Sequence, residues 1–441
     1  MNIYIPMEIK KRELEGRLLL ALVAAERGHS VVLGSKSETF GAATAGKLPP
    51  GIIHEKSLTP NENKLKRLIS LKELGHIITS QDEESGLLSD DYNRFGRQRF
   101  SKETLSITSK VLCWGEYDSD ALRNMYPDFS DRFIATGSPR VDYWRKDFKS
   151  YYRNPKDITR DYILISSNFT NILGKKYIWE KKVFNNGSTI IKNNEALIAI
   201  KKYVYDAQMV EQFIKAVIAL AENIKDHLIV VRPHPNEEVS AWSSILGEIP
   251  NVVVRNDGNM SSWIRNSKVL IHNGCTSAIE ARFTGTDVIA YCPIGSWFST
   301  VYPNKINAIS ENEMSLVTYV VKSINGELKT FSKYNSDLNR RFSNIKGPLA
   351  ADLIVDSWET LDAPALNKKL PEFRKNVNTI KKIAKMILNK NEKNISNKFP
   401  YLHDDEIYSI FNSLRSTLNR FGNVDIRRIG EKAFLFISKT I

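Results

Sequence analysis

The chain of 441 residues contains little cysteine, no long hydrophobic run and no basic leader. Its 3 cysteines are Cys113, Cys275 and Cys292, and no two of them stand in a CxxC spacing. This scarcity excludes a disulfide framework and a cysteine zinc site, and it favours a reducing compartment. The longest apolar run, residues 18–25, is too short to span a bilayer. No secretory signal is evident, so we expect a soluble, cytoplasmic protein.

Acidic residues are outnumbered, and the imbalance is concentrated near the C-terminus. The whole chain has 63 Lys and Arg against 50 Asp and Glu, a net charge of +13. Residues 366–441 hold 16 Lys and Arg against 7 Asp and Glu, which gives +9. In residues 377–388 the apolar side chains form one face of a predicted helix. We therefore expect residues 351–441 to be a basic helical tail that packs back on the N-terminal half or binds an anionic membrane surface.

Strand and helix patterns alternate through residues 1–145. Short apolar runs at residues 3–5 and 31–33 flank a stretch, residues 13–27, with a dense apolar face that Gly28 can terminate. This order is typical of a βαβ unit. More strands are predicted at residues 76–79, 111–114 and 133–136. The first 145 residues therefore predict one Rossmann-like domain.

A second alternation of the same kind fills residues 146–350. A long helix is predicted at residues 206–224, and residues 175–205 break the rhythm as an insertion. The predicted strands are residues 162–166, 227–232, 252–254, 269–272 and 288–291. The fold class is therefore α/β, with two Rossmann-like domains facing a cleft and a helical C-terminal tail. Ligands of such sheets bind beyond the carboxyl ends of the strands, so the residues at those ends decide the chemistry.

A Pro-His-Pro turn follows the strand at residues 227–232. Proline fixes φ and removes an N–H group, so the prolines on either side of His234, Pro233 and Pro235, hold its imidazole rigidly. Such an imidazole can bind a phosphate or a ribose hydroxyl with little ordering cost. Arg232 precedes the turn and adds a positive charge. We interpret Arg232, His234 and Pro235 as substrate-binding residues.

The segment HNGCTSAIEA, residues 272–281, runs from the end of a strand into a helix. Hydroxyl groups and free N–H groups at a helix start form a phosphate site, although N-capping alone also explains the hydroxyls. Glu280, one turn into the helix, can reach a ribose diol. The candidate ligands are His272, Asn273, Gly274, Thr276, Ser277 and Glu280.

RPHP followed by HNGCTSAIEA resembles the nucleotide-binding half of GT-B glycosyltransferases, above all bacterial enzymes that use CMP-activated ulosonic acids. The segments PMEIKKRELEGRLLLA, AERGHS and SQDEESG in the N-terminal half are similar to surface-carbohydrate biosynthesis proteins related to retaining Kdo transferases. The resemblance covers roughly residues 1–350. It implies a CMP-sugar donor of the Kdo or nonulosonic (pseudaminic or legionaminic) type, a lipid-linked glycan acceptor at the membrane, no bound metal and no other cofactor.

Three consecutive acids, Asp82, Glu83 and Glu84, follow the strand predicted at residues 76–79. Most such triplets are solvated turns, but this one stands at the ligand-binding edge of a predicted sheet. A ketosidic donor reacts through an oxocarbenium-like state, which a carboxylate can stabilise or trap. Mutual repulsion can raise the pKa of one acid and make it a proton donor. We predict Asp82 as the nucleophile and the two glutamates as supporting groups.

Other polar residues are expected at the same strand ends. Glu8 follows the first strand, so we expect it to act with Asp82. Arginine pairs bidentately with carboxylates, which makes four arginines candidates for an acidic substrate group. They are Arg12, Arg94, Arg97 and Arg99. Asn168, after the strand at residues 162–166, is expected to face the donor.

Three other functions remain open on the sequence alone. A CDP-glycerol glycerophosphotransferase also pairs a His-Pro turn with a Ser/Thr-rich helix start, and a UDP-sugar 2-epimerase also has two Rossmann-like halves. A non-enzymatic alternative is a basic protein that binds nucleic acid or a membrane surface through its tail. The leading hypothesis is a retaining glycosyltransferase with no nucleic-acid partner.

Overall fold

The computed structural model describes residues 1–85, 92–174, 193–328, 335–365, 399 and 401–439. These residues form two compact units. Unit 1 contains the described residues of 1–86, 91–151 and 336–441, and unit 2 contains those of 152–335. The chain thus returns to unit 1 at residue 336, whereas the sequence predicted that the second domain continues to residue 350.

Unit 1 begins with alternating strands and helices. The strands are β1 (Asn2–Met7), β2 (Ser30–Ser35), β3 (Ile52–Glu55), β4 (Ile77–Ser80), β5 (Lys110–Cys113) and β6 (Phe133–Ala135). The helices are α1 (Lys10–Glu26), α2 (Lys36–Thr44), α3 (Glu62–Glu73), α4 (Tyr92–Arg99), α5 (Lys102–Ser106), α6 (Glu116–Met125) and α7 (Pro139–Asp142). Short 3-10 helices stand at Pro127–Arg132 and Lys146–Tyr151.

Unit 2 repeats the alternation. Its strands are β7 (Tyr162–Ser166), β8 (Leu228–Arg232), β9 (Val252–Val254), β10 (Val269–His272), β11 (Asp287–Tyr291) and β12 (Ala308–Ser310). Its helices are α8 (Thr170–Leu173), α9 (Asn193–Asn223), α10 (Val239–Leu246), α11 (Met260–Asn266), α12 (Ser277–Thr284), α13 (Tyr302–Lys305) and α14 (Glu313–Ile324), with a 3-10 turn at Trp297–Ser299.

The sheet of unit 2 has the strand order β12-β11-β10-β7-β8-β9, and every pair is parallel. This is the order of the dinucleotide-binding Rossmann fold, in which the first and fourth strands lie side by side. Here those strands are β7 and β10, whose last residues, Ser166 and His272, are paired in register. Helices α9, α10 and α14 bury one face of the sheet and α11 and α12 the other. The prediction of a Rossmann-like second half is confirmed.

The remainder of unit 1 is formed by the last part of the chain. It contains α15 (Asn335–Arg341), α16 (Ala350–Glu359), α17 (Asp404–Leu418), β13 (Val424–Gly430) and β14 (Ala433–Ser438). The sheet order is β13-β14-β2-β1-β3-β4-β5-β6, with β1 to β6 parallel. The predicted βαβ unit and the Rossmann-like character of the N-terminal half are confirmed. Strand β3 was not predicted, because its last two residues are His54 and Glu55.

The C-terminal segment is not helical throughout. Strand β14 pairs antiparallel with β2 and with β13, which corrects the expectation of an all-helical tail. The apolar run at residues 18–25 explains why such a cover is needed, since all eight side chains are fully buried within α1. A helix that is apolar on every side must be covered on every side. Helix α1 accordingly packs against its own sheet, α7, α16 and β14.

Buried polar contacts attach α16 to the rest of unit 1. Asp142 accepts hydrogen bonds from the main-chain N–H groups of Ala350 (2.9 Å) and Ala351 (3.1 Å) at the start of the helix. At its other end the Trp358 indole donates to Thr79 Oγ1 on β4 (3.1 Å). Gly137 has φ +78°, and a Cβ there would lie 2.1 Å from the Asn344 side chain, so only glycine fits. These contacts make the C-terminal segment an integral part of unit 1.

Two predicted segments lie wholly or partly outside the described residues. They are the amphipathic stretch at residues 377–388 and residues 175–192 of the expected insertion, whose remainder belongs to α9. Among the described helices, none is both long and apolar enough to cross a membrane.

We predict that β14 is required for the stability of unit 1. Leu435 is fully buried opposite Val32 of β2, so Leu435→Ala should lower the free energy of unfolding by about 2–5 kcal/mol. Ile69→Ala, on a half-exposed side chain of α3, is the matched control and should change it by about 0.5 kcal/mol or less. Urea unfolding followed by circular dichroism measures both. Equal midpoints for the two variants would contradict a structural role for β14.

Candidate functional site

The first candidate site lies in unit 2, between the carboxyl ends of β7 and β10. Ser166 ends β7, and its hydroxyl lies 3.5 Å from the Ser277 hydroxyl at the start of α12 and 3.5 Å from the Cys275 thiol. Both serines are buried. This is the point at which the strand order reverses, where Rossmann-like sheets bind their ligands. Three small polar side chains therefore meet where a phosphate can be received.

The turn from residue 272 to residue 276 is held by its own side chains. Burial lowers the pKa of His272 to about 3, so its imidazole is neutral. Its Nδ1 accepts from the Cys275 N–H (3.3 Å), which places the proton on Nε2. The Asn273 side chain donates to the Tyr291 carbonyl (2.8 Å), and the Gly274 N–H donates to Asn304 Oδ1 (2.7 Å). His272, Asn273 and Gly274 therefore shape the turn, and a direct role in binding stays a prediction.

Helix α12 begins without a side-chain cap. Thr276 occupies the N-cap position, yet its hydroxyl accepts no hydrogen bond from the first turn. The simpler explanation of these hydroxyls as N-caps is therefore not what the structure contains. Helix N-termini with N–H groups unsatisfied by side chains bind anions. Thr276 and Ser277 are positioned for that role.

Glu280 lies one turn along α12 and is buried, with 7% of its surface exposed. One of its carboxylate oxygens accepts a hydrogen bond from the Ser261 hydroxyl at the start of α11. This contact fixes the carboxylate near the first candidate site. A carboxylate can accept more than one hydrogen bond, so the Ser261 bond is compatible with a ribose contact. That contact stays a prediction.

The Pro-His-Pro turn after β8 fixes the His234 ring. The Nδ1 atom accepts from the Asn236 N–H (3.2 Å) and lies 3.3 Å from Thr170 Oγ1. His234 is half-buried and Pro235 is exposed. The Arg232 guanidinium instead donates to the carbonyls of Asp257 (2.6 Å) and Gly258 (2.8 Å). Arg232 therefore braces the loop after β9, and the His234 ring is held in place through its Nδ1.

Glu237 is a buried carboxylate that the sequence analysis missed. It accepts from the Ser167 hydroxyl (2.6 Å), the Phe169 N–H and the Trp242 indole (2.9 Å). It thereby ties the loop after β7 to the turn that carries His234. Asn168, inside that loop, is exposed. Glu237 stands three residues after His234, and only its complete burial distinguishes it from the exposed acids nearby.

The second candidate site lies in unit 1, after β4. Asp82 Oδ1 accepts from the main-chain N–H groups of Glu84 (2.9 Å) and Ser85 (3.3 Å). Its Oδ2 lies 3.8 Å from Arg99 Nε and is buried without a hydrogen-bond partner among the described residues. Burial raises the pKa of Asp82, and the Arg99 charge opposes that rise. One oxygen is thus fixed by main-chain N–H groups, whereas the other has only the Arg99 charge beside it among the described residues.

The two glutamates of the triplet have different environments. Glu83 is buried and pairs with Arg17 of α1, Nη2 to Oε1 2.7 Å. Glu84 is exposed and pairs with Arg12 (3.2 Å) and Arg99. The triplet is therefore not a solvated turn, since each acid is paired with an arginine.

Asp118 of α6 is a fourth acid of this site, and the sequence analysis missed it. Burial raises its pKa to about 7, and the Ser85 hydroxyl donates to its Oδ2. Ser85 therefore bridges two buried carboxylates, since its N–H donates to Asp82 Oδ1. Ser85 adopts φ +35°, a conformation that non-glycine residues rarely adopt. Coupled buried acids with raised pKa values are typical of acid–base sites.

Glu8, at the end of β1, is held by lysines. Its Oε2 lies 3.1 Å from Lys56 Nζ and 3.4 Å from Lys36 Nζ. Partial burial opposes ionisation, but the two lysines lower the pKa of Glu8 to about 2. Strand β3 lies between β1 and β4, and the proposed cooperation of Glu8 with Asp82 stays a prediction. Arg94 and Arg97 of α4 are exposed.

The comparisons with known proteins give structural likeness only. No family model and no curated protein matches the sequence. The chain is similar to a putative UDP-N-acetylglucosamine 2-epimerase from Listeria monocytogenes, at 12% identity over 80% of this chain and 94% of that chain, with a TM-score of 0.49. The chain is also similar to the wall teichoic acid polymerase TagF, at 12% identity over 81% of this chain and 88% of that chain, with a TM-score of 0.47. A third similar structure is the UDP-GlcNAc 2-epimerase from Neisseria meningitidis bound to UDP-GlcNAc, at 10% identity over 81% of this chain and 99% of that chain, with a TM-score of 0.46.

We predict that Asp118 makes stability fall as pH rises. A carboxyl whose folded pKa is about 7, against 3.8 unfolded, binds a proton more tightly in the folded state. Between pH 4 and 7 it therefore costs up to about 1.4 kcal/mol of stability per pH unit. Asp118→Asn removes this titration, so the melting temperature of the native protein relative to the variant should fall by about 3 °C per unit from pH 5 to 7.

Asp120→Asn is the control for this experiment, because Asp120 is a half-exposed residue of the same helix. Its melting temperature should stay parallel to that of the native protein across the pH range. The comparison uses differences between variants because buried histidines such as His54 and His272, whose pKa values are lowered by burial, oppose the trend at low pH. A constant offset between native protein and Asp118→Asn would show that Asp118 is ionised throughout.

Proposed function

We propose that the protein is an enzyme of surface-glycan assembly that uses a nucleotide-activated donor, with unit 2 as the nucleotide-binding unit. The observation that carries this proposal is the meeting of Ser166, Cys275 and Ser277 at the strand-order reversal between β7 and β10. Rossmann-like sheets bind nucleotides at that position, and the start of α12 offers the Thr276 and Ser277 hydroxyls to a phosphate at the positive end of the helix dipole.

The other residues of unit 2 have complementary roles in this proposal. Ser277 and Thr276 receive the phosphate, the His234 imidazole contacts it, and the Glu280 carboxylate accepts from a ribose hydroxyl. Glu237 is a positioning residue, since it holds the loop and the turn that frame the site. Arg232 braces the neighbouring loop. Preorganised donors of this kind cost no reorganisation when the ligand binds.

In unit 1 we assign the reacting carboxylate to Asp82. For a retaining transfer, an oxygen of Asp82 attacks the anomeric carbon as the bond to the nucleotide phosphate breaks, and an acceptor hydroxyl then displaces the carboxylate. The acceptor proton must leave at this second step. Asp118, with a pKa of about 7, is suited to exchange it near neutral pH.

The donor that we expect is a CMP-activated ulosonic acid, as the motif resemblance implies. CDP-glycerol and UDP-GlcNAc are the alternatives, because the glycerophosphotransferase and 2-epimerase hypotheses require them. The epimerase alternative has one observation in its favour, since removal and return of a proton at C2 needs paired acids such as Asp82 and Asp118. Incubation with each donor, read by mass spectrometry, separates the three functions. Release of CMP only from CMP-ulosonates supports the first.

We predict that His234 and Ser277 bind the nucleotide phosphate. Loss of a hydrogen bond to a charged group costs about 1.5–3 kcal/mol, so His234→Ala and Ser277→Ala should each weaken CMP binding about 10- to 100-fold. Isothermal titration calorimetry of the full-length protein measures the change. His227→Ala and Ser243→Ala are the matched controls, since His227 precedes the opposite end of the same strand and Ser243 is exposed on α10. Unchanged affinity in both site variants would disprove the assignment.

We predict that Asp82 is required for the chemical step and not for nucleotide binding. Asp82→Asn preserves the shape of the side chain and removes its charge, so turnover should fall on the order of 10³-fold while CMP affinity stays within about twofold. Asp128→Asn, an exposed acid of unit 1, should retain full turnover.

A covalent intermediate gives an independent readout of the same assignment. Intact-protein mass spectrometry after mixing with the donor should reveal a sugar-sized adduct on the peptide that contains residues 81–85. An adduct on another carboxylate would move the nucleophilic role there. An Asp82→Asn protein with full turnover would exclude a catalytic role for Asp82.

A further inference from the structure

A small cavity in unit 1 is lined by three arginines. The lining residues are Arg12, Glu13, Gly16, Arg17, Leu20, Gln81, Glu83, Ser138, Pro139 and Arg140. Helix α1 contributes one face of the cavity, and the start of α7 contributes another. Gly16 allows a close approach, because a Cβ there would lie 3.0 Å from the Arg140 main-chain nitrogen, tighter than most Cβ contacts. The close packing of the two helices therefore builds the wall of the cavity.

Two of the arginines carry buried donors that the fold leaves unused. Arg17 is 2% exposed, and its Nη2 contacts Glu83 at 2.7 Å. Its Nε and Nη1 atoms are buried without a hydrogen-bond partner among the described residues, as is Nε of Arg12. A buried guanidinium with unsatisfied N–H groups is costly, by several kcal/mol. Such donors at the wall of a cavity indicate an acceptor that enters from outside the chain.

The acids at this cavity are already engaged. Glu13 is fully buried and accepts from the Glu8 N–H (2.8 Å), the Ile9 N–H (3.1 Å) and Lys56 Nζ (3.2 Å). Glu83 is paired with Arg17. Three arginines and two glutamates thus line the cavity, with Arg17 paired to Glu83 and Arg12 paired to Glu84. A carboxylate matches the geometry of these guanidinium donors, whereas a dianionic phosphate would be repelled more strongly by both glutamates.

We propose that this arginine pocket binds the carboxylate of an acidic sugar, with Arg17 as the residue that selects for the charge. Guanidinium groups pair with carboxylates through two parallel hydrogen bonds, and the unused donors of Arg17 and Arg12 provide them. Glu83 links the pocket to the adjacent Asp82, so a bound sugar acid lies beside the assigned reacting carboxylate. This inference rests on the proposed function for the identity of the sugar and not for the charge of the ligand.

The test measures binding of a free ulosonic acid, N-acetylneuraminic acid, to the full-length protein by calorimetry. Its methyl ester, which lacks the charge, and inorganic phosphate are the comparison ligands. The native protein should bind the acid at least 10-fold more tightly than either comparison ligand. Arg17→Gln should weaken binding of the acid about 10-fold or more, whereas Arg415→Gln, at an exposed arginine of α17, should leave it unchanged. Binding of CMP should be equal in all three proteins.

Several outcomes would overturn the inference. They are equal binding of acid and ester, tighter binding of phosphate, no binding of the acid, or full affinity in Arg17→Gln. If Arg17→Gln fails to fold, Arg12→Gln replaces it, because Arg12 is partly exposed and less critical to packing. If N-acetylneuraminic acid does not bind while CMP binds normally, only the arginine pocket is rejected. If no nucleotide binds, the proposed function is rejected. The pocket is then tested only by whether the acid binds more tightly than its methyl ester.

Discussion

Buried carboxylates that accept hydrogen bonds from main-chain N–H groups hold the loops on which both candidate sites depend. Glu13 binds the turn after β1, Asp82 binds its own turn after β4, and Glu237 binds the loop after β7. A loop that leaves a parallel sheet has no neighbouring strand to satisfy its N–H groups, and buried donors without acceptors are costly. The carboxylates meet this requirement in the low dielectric of the interior, where charge-assisted bonds are strong.

The sequence predicted strands in which apolar runs alternate with helical segments, and it failed where burial is polar or where the partner strand is remote in sequence. Strand β10 was predicted at its observed bounds because residues 269–271 are apolar and fully buried. Strand β3 was missed, since His54 and Glu55 are buried only through partners remote in sequence, Thr79 and Arg67. Strand β14 was missed although its residues are apolar, because its pairing with β2 joins residues about 400 positions apart, and β13 pairs only with β14. No local pattern encodes such a partner.

For the candidate sites, sequence motifs located the strand ends but not the residues that act through burial. The Pro-His-Pro turn and the start of α12 stand where the patterns placed them. Asp118, Glu237 and Arg17 were missed because nothing in their local sequence separates them from surface charges. Arg17 has one available signal, since it directly precedes the apolar run at residues 18–25 in a helix that must be buried. A charged residue beside such a buried run needs a partner, which is either another residue of the chain or a bound ligand.

The link between Asp82 and Asp118 gives the acidic site a property that no single residue has. Ser85 donates its N–H to Asp82 and its hydroxyl to Asp118, so the two carboxylates are coupled through one residue. Burial raises the pKa of both acids, and the charge of Asp82 adds to the rise in the pKa of Asp118. In the mechanism that we propose, a protonated Asp118 favours the negative charge that Asp82 needs as a nucleophile. Ionisation of Asp118 would remove that advantage, so the proposal makes the pH range of the reaction depend on one buried proton.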